Sequence, residues 1–354
     1  MGSKKNFGRT IIDGLKLAYT LEPSIRYSWA KEKQVIYLGN LVFTRIESRT
    51  NFPHYFIVNY NRKKIAYLYF HDDDACVFRK YVHVRMSNFV LYDSALLQQV
   101  LCALEEVGLV FDHFTGIDLA RDFSSNVVQQ LNRLMRSSCL ATIINGKWIK
   151  DRNEKLSHFK EIRSRSLNRS YDPELVIKQD GMNQLKAYNK LHEIMDMRKD
   201  YNDDFYKDYI IDYYGHASSI HRLEVTIDSR KIRRLLISQS CNMLFCQDFL
   251  DELYVRCVTS ILSFSLLPVK NTSHMRPRQQ VHLDIIFGTG RDITKLCYQA
   301  KNYQPKELKY TRLKPVDLAD MEQSEILTSI NECNSTLDDF ANNKEEWMVA
   351  EFDM

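Results

Sequence analysis

The sequence lacks the features that mark membrane or secreted proteins. Its apolar stretches are all shorter than the roughly 18 residues that a membrane-spanning helix needs. Met1 is followed by Gly-Ser-Lys-Lys rather than by the apolar core of a secretory signal. None of the eight cysteines forms a C-x-x-C pair, and no Cys/His cluster has zinc-finger spacing. We therefore expect a cytoplasmic protein with free thiols and no membrane partner.

Glycine and proline are also scarce, with 11 and 7 among 354 residues. No Pro/Gly-rich linker separates strands from helices before residue 229, and the sequence has no strong internal repeat and no low-complexity tract. Hydrophobic residues make up 44% of the chain and charged residues 27%, which is typical of a globular protein. A chain of this length is long enough for one large domain or for two modest ones.

The net charge of +4 hides a strong asymmetry. Residues 316–354 contain 11 acids and one lysine, so the rest of the chain carries a net charge of +14. A basic body of this size attracts a polyanion at long range. Residues 147–170 are strongly basic, and we predict that part of this segment follows a DNA backbone. The predicted contacts are Lys160, Arg163, Arg165 and Arg169.

Three parts are predicted along the chain. Residues 1–229 alternate short β-like runs with helices, which favours one α+β domain with a central antiparallel sheet and packed helices. Residues 230–315 are expected to form a helical accessory region that binds DNA, and residues 316–354 an acidic tail. The predicted helices of the accessory region span residues 230–236, 241–266 and 292–300.

Acidic side chains lie among apolar ones on two predicted strands. Asp118 and Asp122 share one face of the strand 114–123, because successive side chains alternate across a sheet. Glu224 shares a face with Arg222 on the strand 220–228. Acids that converge from two strands predict a site for Mg²⁺ or Mn²⁺. Since residues four apart on a strand are separated by roughly 13 Å, we expect Glu224 and only one of the two aspartates to bind the ion.

A tyrosine on a third strand, 184–188, completes the predicted site. Tyr188 shares a face with Lys186 and Lys190. Beside a metal that polarises a phosphate oxygen, a phenolic oxygen can attack a phosphodiester in line and form a 5′-phosphotyrosine. Lys190 can favour the ionised phenol or hold the phosphate.

Each of these segments also has an ordinary structural interpretation. Glu224 and Arg222 fit an exposed cross-strand charge pattern. Tyr188 is one of 20 tyrosines, and Tyr171 is an alternative nucleophile. The order and spacing of the three segments are what favour a functional interpretation over the structural one.

In that order, the segments resemble the rolling-circle replication initiator and relaxase superfamily, especially Rep_trans-like plasmid initiators and the replication initiation proteins of filamentous phages. The matching segments are Gly-Ile-Asp-Leu-Ala-Arg-Asp-Phe at 116–123, Tyr-Asn-Lys-Leu-His-Glu at 188–193 and Arg-Leu-Glu at 222–224. The His-hydrophobic-His motif of many superfamily members is absent from the chain, and Rep_trans-like members use acids in its place.

The resemblance implies a fold of the type found in HUH nucleases, a divalent metal and a tyrosine nucleophile. It implies an enzyme that nicks one strand of single-stranded or hairpin origin DNA and rejoins it. A host helicase and a second copy of the chain are candidate partners.

Several functions remain open at this point. A conjugative relaxase would use the same chemistry. A non-catalytic initiator would only bind the origin, and would hold duplex DNA with the basic body and the helices after residue 229. Arg222 is a further predicted DNA contact. A metal-dependent nuclease would use activated water instead of Tyr188.

Overall fold

The computed structural model describes most of the first 266 residues and one short strand beyond them. The described residues are 8–31, 35–47, 52–71, 80–138, 140–160, 174–179, 181–196, 219–235, 239–266 and 279–281. Arg163, Arg165, Arg169 and Tyr171 lie outside these ranges, as do the predicted helix 292–300 and the acidic tail.

Strands dominate the described part of the chain. They are, in chain order, β1 (Thr10–Thr20), β2 (Val35–Leu38), β3 (Leu41–Arg45), β4 (His54–Tyr60), β5 (Lys63–Phe70), β6 (Val82–Met86), β7 (Val110–Phe123), β8 (Leu140–Ile144), β9 (Lys147–Ile149), β10 (Phe159–Lys160), β11 (Glu174–Lys178), β12 (Gln184–Asn189), β13 (His221–Asp228), β14 (Leu262–Leu266) and β15 (Gln279–Val281).

The helices are fewer and mostly short. They are α1 (Pro23–Lys31), α2 (Asn88–Leu91), α3 (Ser94–Glu106), α4 (Val127–Arg136), α5 (Arg152–Leu156), α6 (Lys190–Asp196), α7 (Ser229–Leu235) and α8 (Gln247–Ile261), with a 3₁₀ helix at Cys241–Phe245. The fold is therefore α+β, and every strand pair whose register is defined is antiparallel, as predicted. Within the described residues, no helix combines the length and apolar character that crossing a membrane requires.

Two compact units make up the chain, and each draws on several segments. The first comprises Met1–Ile11, Leu119–Ile227 and Asp251–Val316, and the second Ile12–Asp118, Asp228–Leu250 and Asp317–Met354. Strands β1 and β7 each contribute residues to both units. The domain boundaries expected from the sequence, at residues 229 and 315, stay predictions.

In the first unit, the strand order β10-β11-β12-β13-β7 forms the sheet that carries the predicted site. Leu185, Ala187, Leu223 and Val225 point to one face and are fully buried. A second sheet has the order β15-β14-β8-β9. Its β8–β9 hairpin turns at Asn145 and Gly146, which both have positive φ, as a two-residue type I′ turn requires.

In the second unit, the strand order is β7-β1-β6-β5-β4-β3-β2. One face of this sheet is buried apolar core, since the side chains that alternate inward are large and shielded from solvent. These core residues are Leu17, Phe43, Phe56, Val58, Leu68, Phe70 and Val84. Helix α3 begins where the Asp93 carboxylate accepts a hydrogen bond from the Leu96 backbone N–H at 3.0 Å, as its N-cap predicts.

The structure does not confirm the predicted helix 241–266. That segment contains the 3₁₀ helix, then α8, then strand β14. The sequence Leu-Ser-Phe-Ser-Leu of β14 alternates with period two, and its backbone pairs with β8 from Leu262↔Ile144 to Leu266↔Leu140. Tertiary pairing of the backbone therefore ends the helix at Ile261.

Candidate functional site

The candidate site lies where β12 and β13 pair in the first unit. Lys186 lies opposite Glu224, and Tyr188 lies opposite Arg222. Residues directly opposite each other in an antiparallel pair share a face, so these four side chains project from the same side of the sheet. The apolar side chains between them fix this register, because a slip by one residue would move all of them out of the core.

Tyr188 and Glu224 are in direct contact. The Tyr188 hydroxyl donates a hydrogen bond of 2.8 Å to Oε2 of Glu224. Only 9% of Tyr188 and 7% of Glu224 is exposed to solvent. A carboxylate that accepts a hydrogen bond from the phenolic hydroxyl is placed to act as its general base.

Two lysines surround this pair. The Lys186 Nζ lies 4.0 Å from Oε1 of Glu224, and its side chain is 32% exposed. The Lys190 Nζ lies 5.8 Å from the centre of the Tyr188 ring and donates a hydrogen bond of 2.6 Å to Oε2 of Glu193. Their positive charges can bind a phosphate.

Lys190 occupies this position because the strand ends one residue before it. The Asn189 side chain accepts a hydrogen bond of 3.2 Å from the His192 backbone N–H and so caps α6. The Lys190 backbone N–H donates to the carbonyl of Ile220 at 2.8 Å. Lys190 therefore reaches the tyrosine as the first residue of a helix and not as part of an extended strand.

Arg222 and Asp122 form an ion pair in the interior. The Arg222 Nε and one terminal nitrogen each donate a hydrogen bond of 2.7 Å, to Oδ1 and Oδ2 of Asp122 respectively. Arg222 is 0% exposed. The prediction that Arg222 contacts DNA is therefore wrong, because its guanidinium group is inaccessible to a phosphate. Both oxygens of Asp122 accept hydrogen bonds from Arg222, and its role as a metal ligand stays a prediction.

Asp118 belongs to the second unit, on the other side of the division within β7. There it lies against Gly14 of β1, so closely that a Cβ atom on Gly14 would be 2.2 Å from Oδ2 of Asp118. The role of Asp118 as a metal ligand stays a prediction.

Among the described residues, no group of three His, Cys, Asp or Glu side chains is close enough to hold a metal ion. Glu224 lies beside Tyr188. The two-ligand site expected from the sequence, Glu224 with one of the two aspartates, stays a prediction.

Lys186 and Glu193 were absent from the residues predicted to act in the site. The signal for Lys186 was its period-two spacing from Tyr188, and the signal for Glu193 was its position three residues after Lys190 on a helix. Of the predicted DNA contacts in the basic segment, Lys160 is described in its backbone, as the last residue of β10, and the three arginines lie outside the described ranges.

The chain was compared with known proteins. No protein-family model matches it, and no curated protein matches it. One similar solved structure is that of a rolling circle replication initiator protein from Geobacillus stearothermophilus, with 10% sequence identity and a TM-score of 0.36; the match covers 83% of this chain and 97% of that chain.

Proposed function

We propose that this protein nicks one strand of DNA through Tyr188 and rejoins it, as an initiator of rolling-circle replication does. The observation that carries the proposal is the 2.8 Å hydrogen bond from the Tyr188 hydroxyl to the buried carboxylate of Glu224, with two lysines beside it. This arrangement joins a nucleophile, a base and positive charge on one face of a sheet.

The proposed reaction exchanges one phosphodiester for another. The phenolic oxygen of Tyr188 bonds to phosphorus while its proton passes to Glu224, and the bond from phosphorus to the 3′ oxygen breaks. The 3′ oxygen takes up a proton from water and leaves as a hydroxyl, and Glu224 returns the phenolic proton to water. Because the phosphotyrosine keeps the energy of the bond, the reverse reaction rejoins the strand.

Lys186 is the residue best placed to bind the phosphate. It is partly exposed, and it lies beside the base without being held in a short ion pair, at 4.0 Å from Glu224. Lys190 is buried and its amino group is held by Glu193, so its proposed role is to position the Tyr188 ring, whose centre lies 5.8 Å from its Nζ. Positive charge fixed beside the transferring phosphate stabilises the transition state.

A Mg²⁺ or Mn²⁺ ion remains part of the proposal on the strength of the motif resemblance. Such an ion would polarise a phosphate oxygen when bound. Since Asp122 is bound by Arg222, Glu224 is the predicted ligand that could hold it next to Tyr188. No step of the reaction above is derived through the ion.

The test is the capture of a covalent protein–DNA adduct. The full-length protein is mixed with a library of random single-stranded 40-mers, with Mg²⁺, Mn²⁺ or EDTA in separate arms, and DNA that survives denaturation on the protein is sequenced. Mass mapping then identifies the modified peptide. We expect adducts on Tyr188 that are lost in Tyr188→Phe and strongly reduced in Glu224→Gln.

The matched control is Tyr254→Phe, which removes another buried, hydrogen-bonded tyrosine hydroxyl of the same unit. It should leave adduct formation unchanged. An adduct that persists in Tyr188→Phe, for example on Tyr171, would refute the assignment. Cleavage without an adduct would indicate a nuclease that uses water, and binding without cleavage in every metal arm would indicate a non-catalytic initiator.

A further inference from the structure

One face of the sheet in the second unit is aromatic and only partly buried. Along β4, β5 and β6 the side chains that point away from the core include Tyr55, Tyr67, Tyr69, His83 and Arg85. The three tyrosines are half-buried and Arg85 is exposed. We call Tyr55, Tyr67, Tyr69 and Arg85 the tyrosine face.

The rings of this face form a ladder across neighbouring strands. Tyr55 lies opposite Tyr69 in the β4–β5 register, and Tyr69 lies opposite His83 in the β5–β6 register. The Tyr55 and Tyr69 rings are 5.5 Å apart and inclined by 7°, and the Tyr69 and His83 rings are 5.5 Å apart and inclined by 17°. Tyr67 contacts Tyr55 at 5.7 Å.

Positive charge accompanies the rings. The Lys64 Nζ lies 5.1 Å from the centre of the Tyr67 ring, and Lys64 is exposed. Arg85 is on β6, where it lies opposite Tyr67 of β5 and opposite Lys16 of β1. Burial is the main cause that raises the pKa of Tyr55 and of Tyr69, a neighbouring tyrosine adds to the rise, and the charge of Arg85 opposes it.

We infer that the tyrosine face binds single-stranded DNA by stacking unpaired bases on its rings while Arg85 and Lys64 contact phosphates. Aromatic side chains stack with any base, and cations beside them follow the backbone. A duplex is a poor ligand for such a surface, because its bases already stack on one another. The inference extends the proposed function, since it takes DNA as the ligand, but it does not require that Tyr188 be the nucleophile.

The test measures the affinity of full-length variants for fluorescent dT20 by anisotropy. Tyr55→Leu and Tyr69→Leu keep apolar volume but remove the ring, and each should weaken binding about tenfold. Arg85→Ala should weaken binding and lower the slope of log affinity against log salt by about 0.7. A blunt hairpin duplex of equal length should bind at least about tenfold more weakly than dT20 to the unaltered protein.

Two variants serve as controls. Tyr69→Phe keeps the ring and should bind as the unaltered protein does. Tyr27→Leu removes an exposed tyrosine that also pairs with a lysine, Lys31 at 4.0 Å, but that lies on α1 and not on the sheet. In Tyr55→Trp, binding of dT20 should quench the new indole fluorescence, and this readout keeps the inference testable if a leucine variant does not fold.

The outcomes separate this inference from the proposed function. Loss of dT20 affinity in the leucine variants supports the inference even if no covalent adduct forms on Tyr188. Unchanged affinity in Tyr55→Leu, Tyr69→Leu and Arg85→Ala refutes it even if the adduct does form. A change in the sedimentation mass of these variants with unchanged DNA affinity would also refute it, because the face would then join two copies of the chain.

Discussion

Arg222 donates two hydrogen bonds of equal length to the carboxylate of Asp122, and both side chains are almost completely buried. The pair connects β13 to its neighbour β7 in the sheet of the first unit. Because Arg222 is also the strand partner of Tyr188, this ion pair lies directly beside the proposed nucleophile.

Breaking this ion pair should destabilise the protein strongly. Asp122→Ala leaves a buried guanidinium without its partner, and we expect the free energy of unfolding to fall by about 3–5 kcal/mol. Urea denaturation followed by circular dichroism measures the loss. Glu252→Gln is the control, since it removes a partner of Arg256 from a more exposed pair on α8 and should cost less than about 1 kcal/mol. Equal effects of the two substitutions would contradict the structural role of Asp122.

Gly14 should not tolerate a side chain while Asp118 is present. A Cβ at this position would meet the Asp118 carboxylate at 2.2 Å, so Gly14→Ala forces a local shift that should cost about 1–3 kcal/mol of stability. Asp118→Ala in the same chain removes the clashing oxygen and should restore most of the loss. A double-mutant cycle on thermal unfolding measures the coupling, and purely additive effects would exclude this contact as the cause.

At alkaline pH, the buried Tyr254 should make the free energy of unfolding depend on pH. Burial raises the pKa of its phenol above the ordinary value of 10, and Asp122 adds to the rise while Arg121 and Arg222 oppose it. The folded protein therefore keeps this proton after the unfolded chain has lost it. Its contribution to stability is complete below pH 10 and declines as the pH rises further, by at most about 1.4 kcal/mol per pH unit.

Tyr254→Phe should remove that part of the pH dependence. At neutral pH the substitution costs only the hydrogen bond to the Leu223 carbonyl, about 1 kcal/mol. Urea titrations between pH 8 and 11 should thus show a shallower decline in the variant than in the unaltered protein. Parallel declines would show that Tyr254 ionises equally in the folded and unfolded states.

The basic segment should contribute to DNA affinity through charge. Arg163→Ala combined with Arg165→Ala is expected to weaken binding to dT20 and to reduce the slope of log affinity against log salt by about 1.5, since each phosphate contact contributes about 0.7. Arg133→Ala with Arg136→Ala removes two exposed arginines from α4 and is the matched control. Anisotropy at four salt concentrations measures both slopes, and equal slopes for the two double variants would refute the assignment.

The sequence predicted which side chains share a face of the sheet better than it predicted which charged side chains pair with each other. Alternation along a strand is a local property, so the common faces of Lys186 with Tyr188 and of Arg222 with Glu224 followed directly from spacing. Which acid meets which cation depends on strand order, and that order is set by contacts distant in sequence. Asp122 and Arg222 are 100 residues apart, and no local pattern indicates that they pair.

The same limit explains the failed helix prediction. Periodicity over residues 241–266 fits a helix up to Ile261, where β14 begins. The alternation of Leu262, Phe264 and Leu266 was visible, but a run of five residues is compatible with either structure. Pairing with β8 decided the outcome, and that partner lies about 120 residues earlier in the chain.

The pairing of β14 with β8 has a practical consequence for anyone who wishes to shorten this protein. A fragment that stops at residue 229 would lack β14. Strand β8 (Leu140–Ile144) would then be an edge strand with unpaired backbone hydrogen-bonding groups. Unpaired edge strands can pair with strands of other molecules, so such a fragment would tend to aggregate. A truncation that retains residues up to 266 keeps β8 paired with β14.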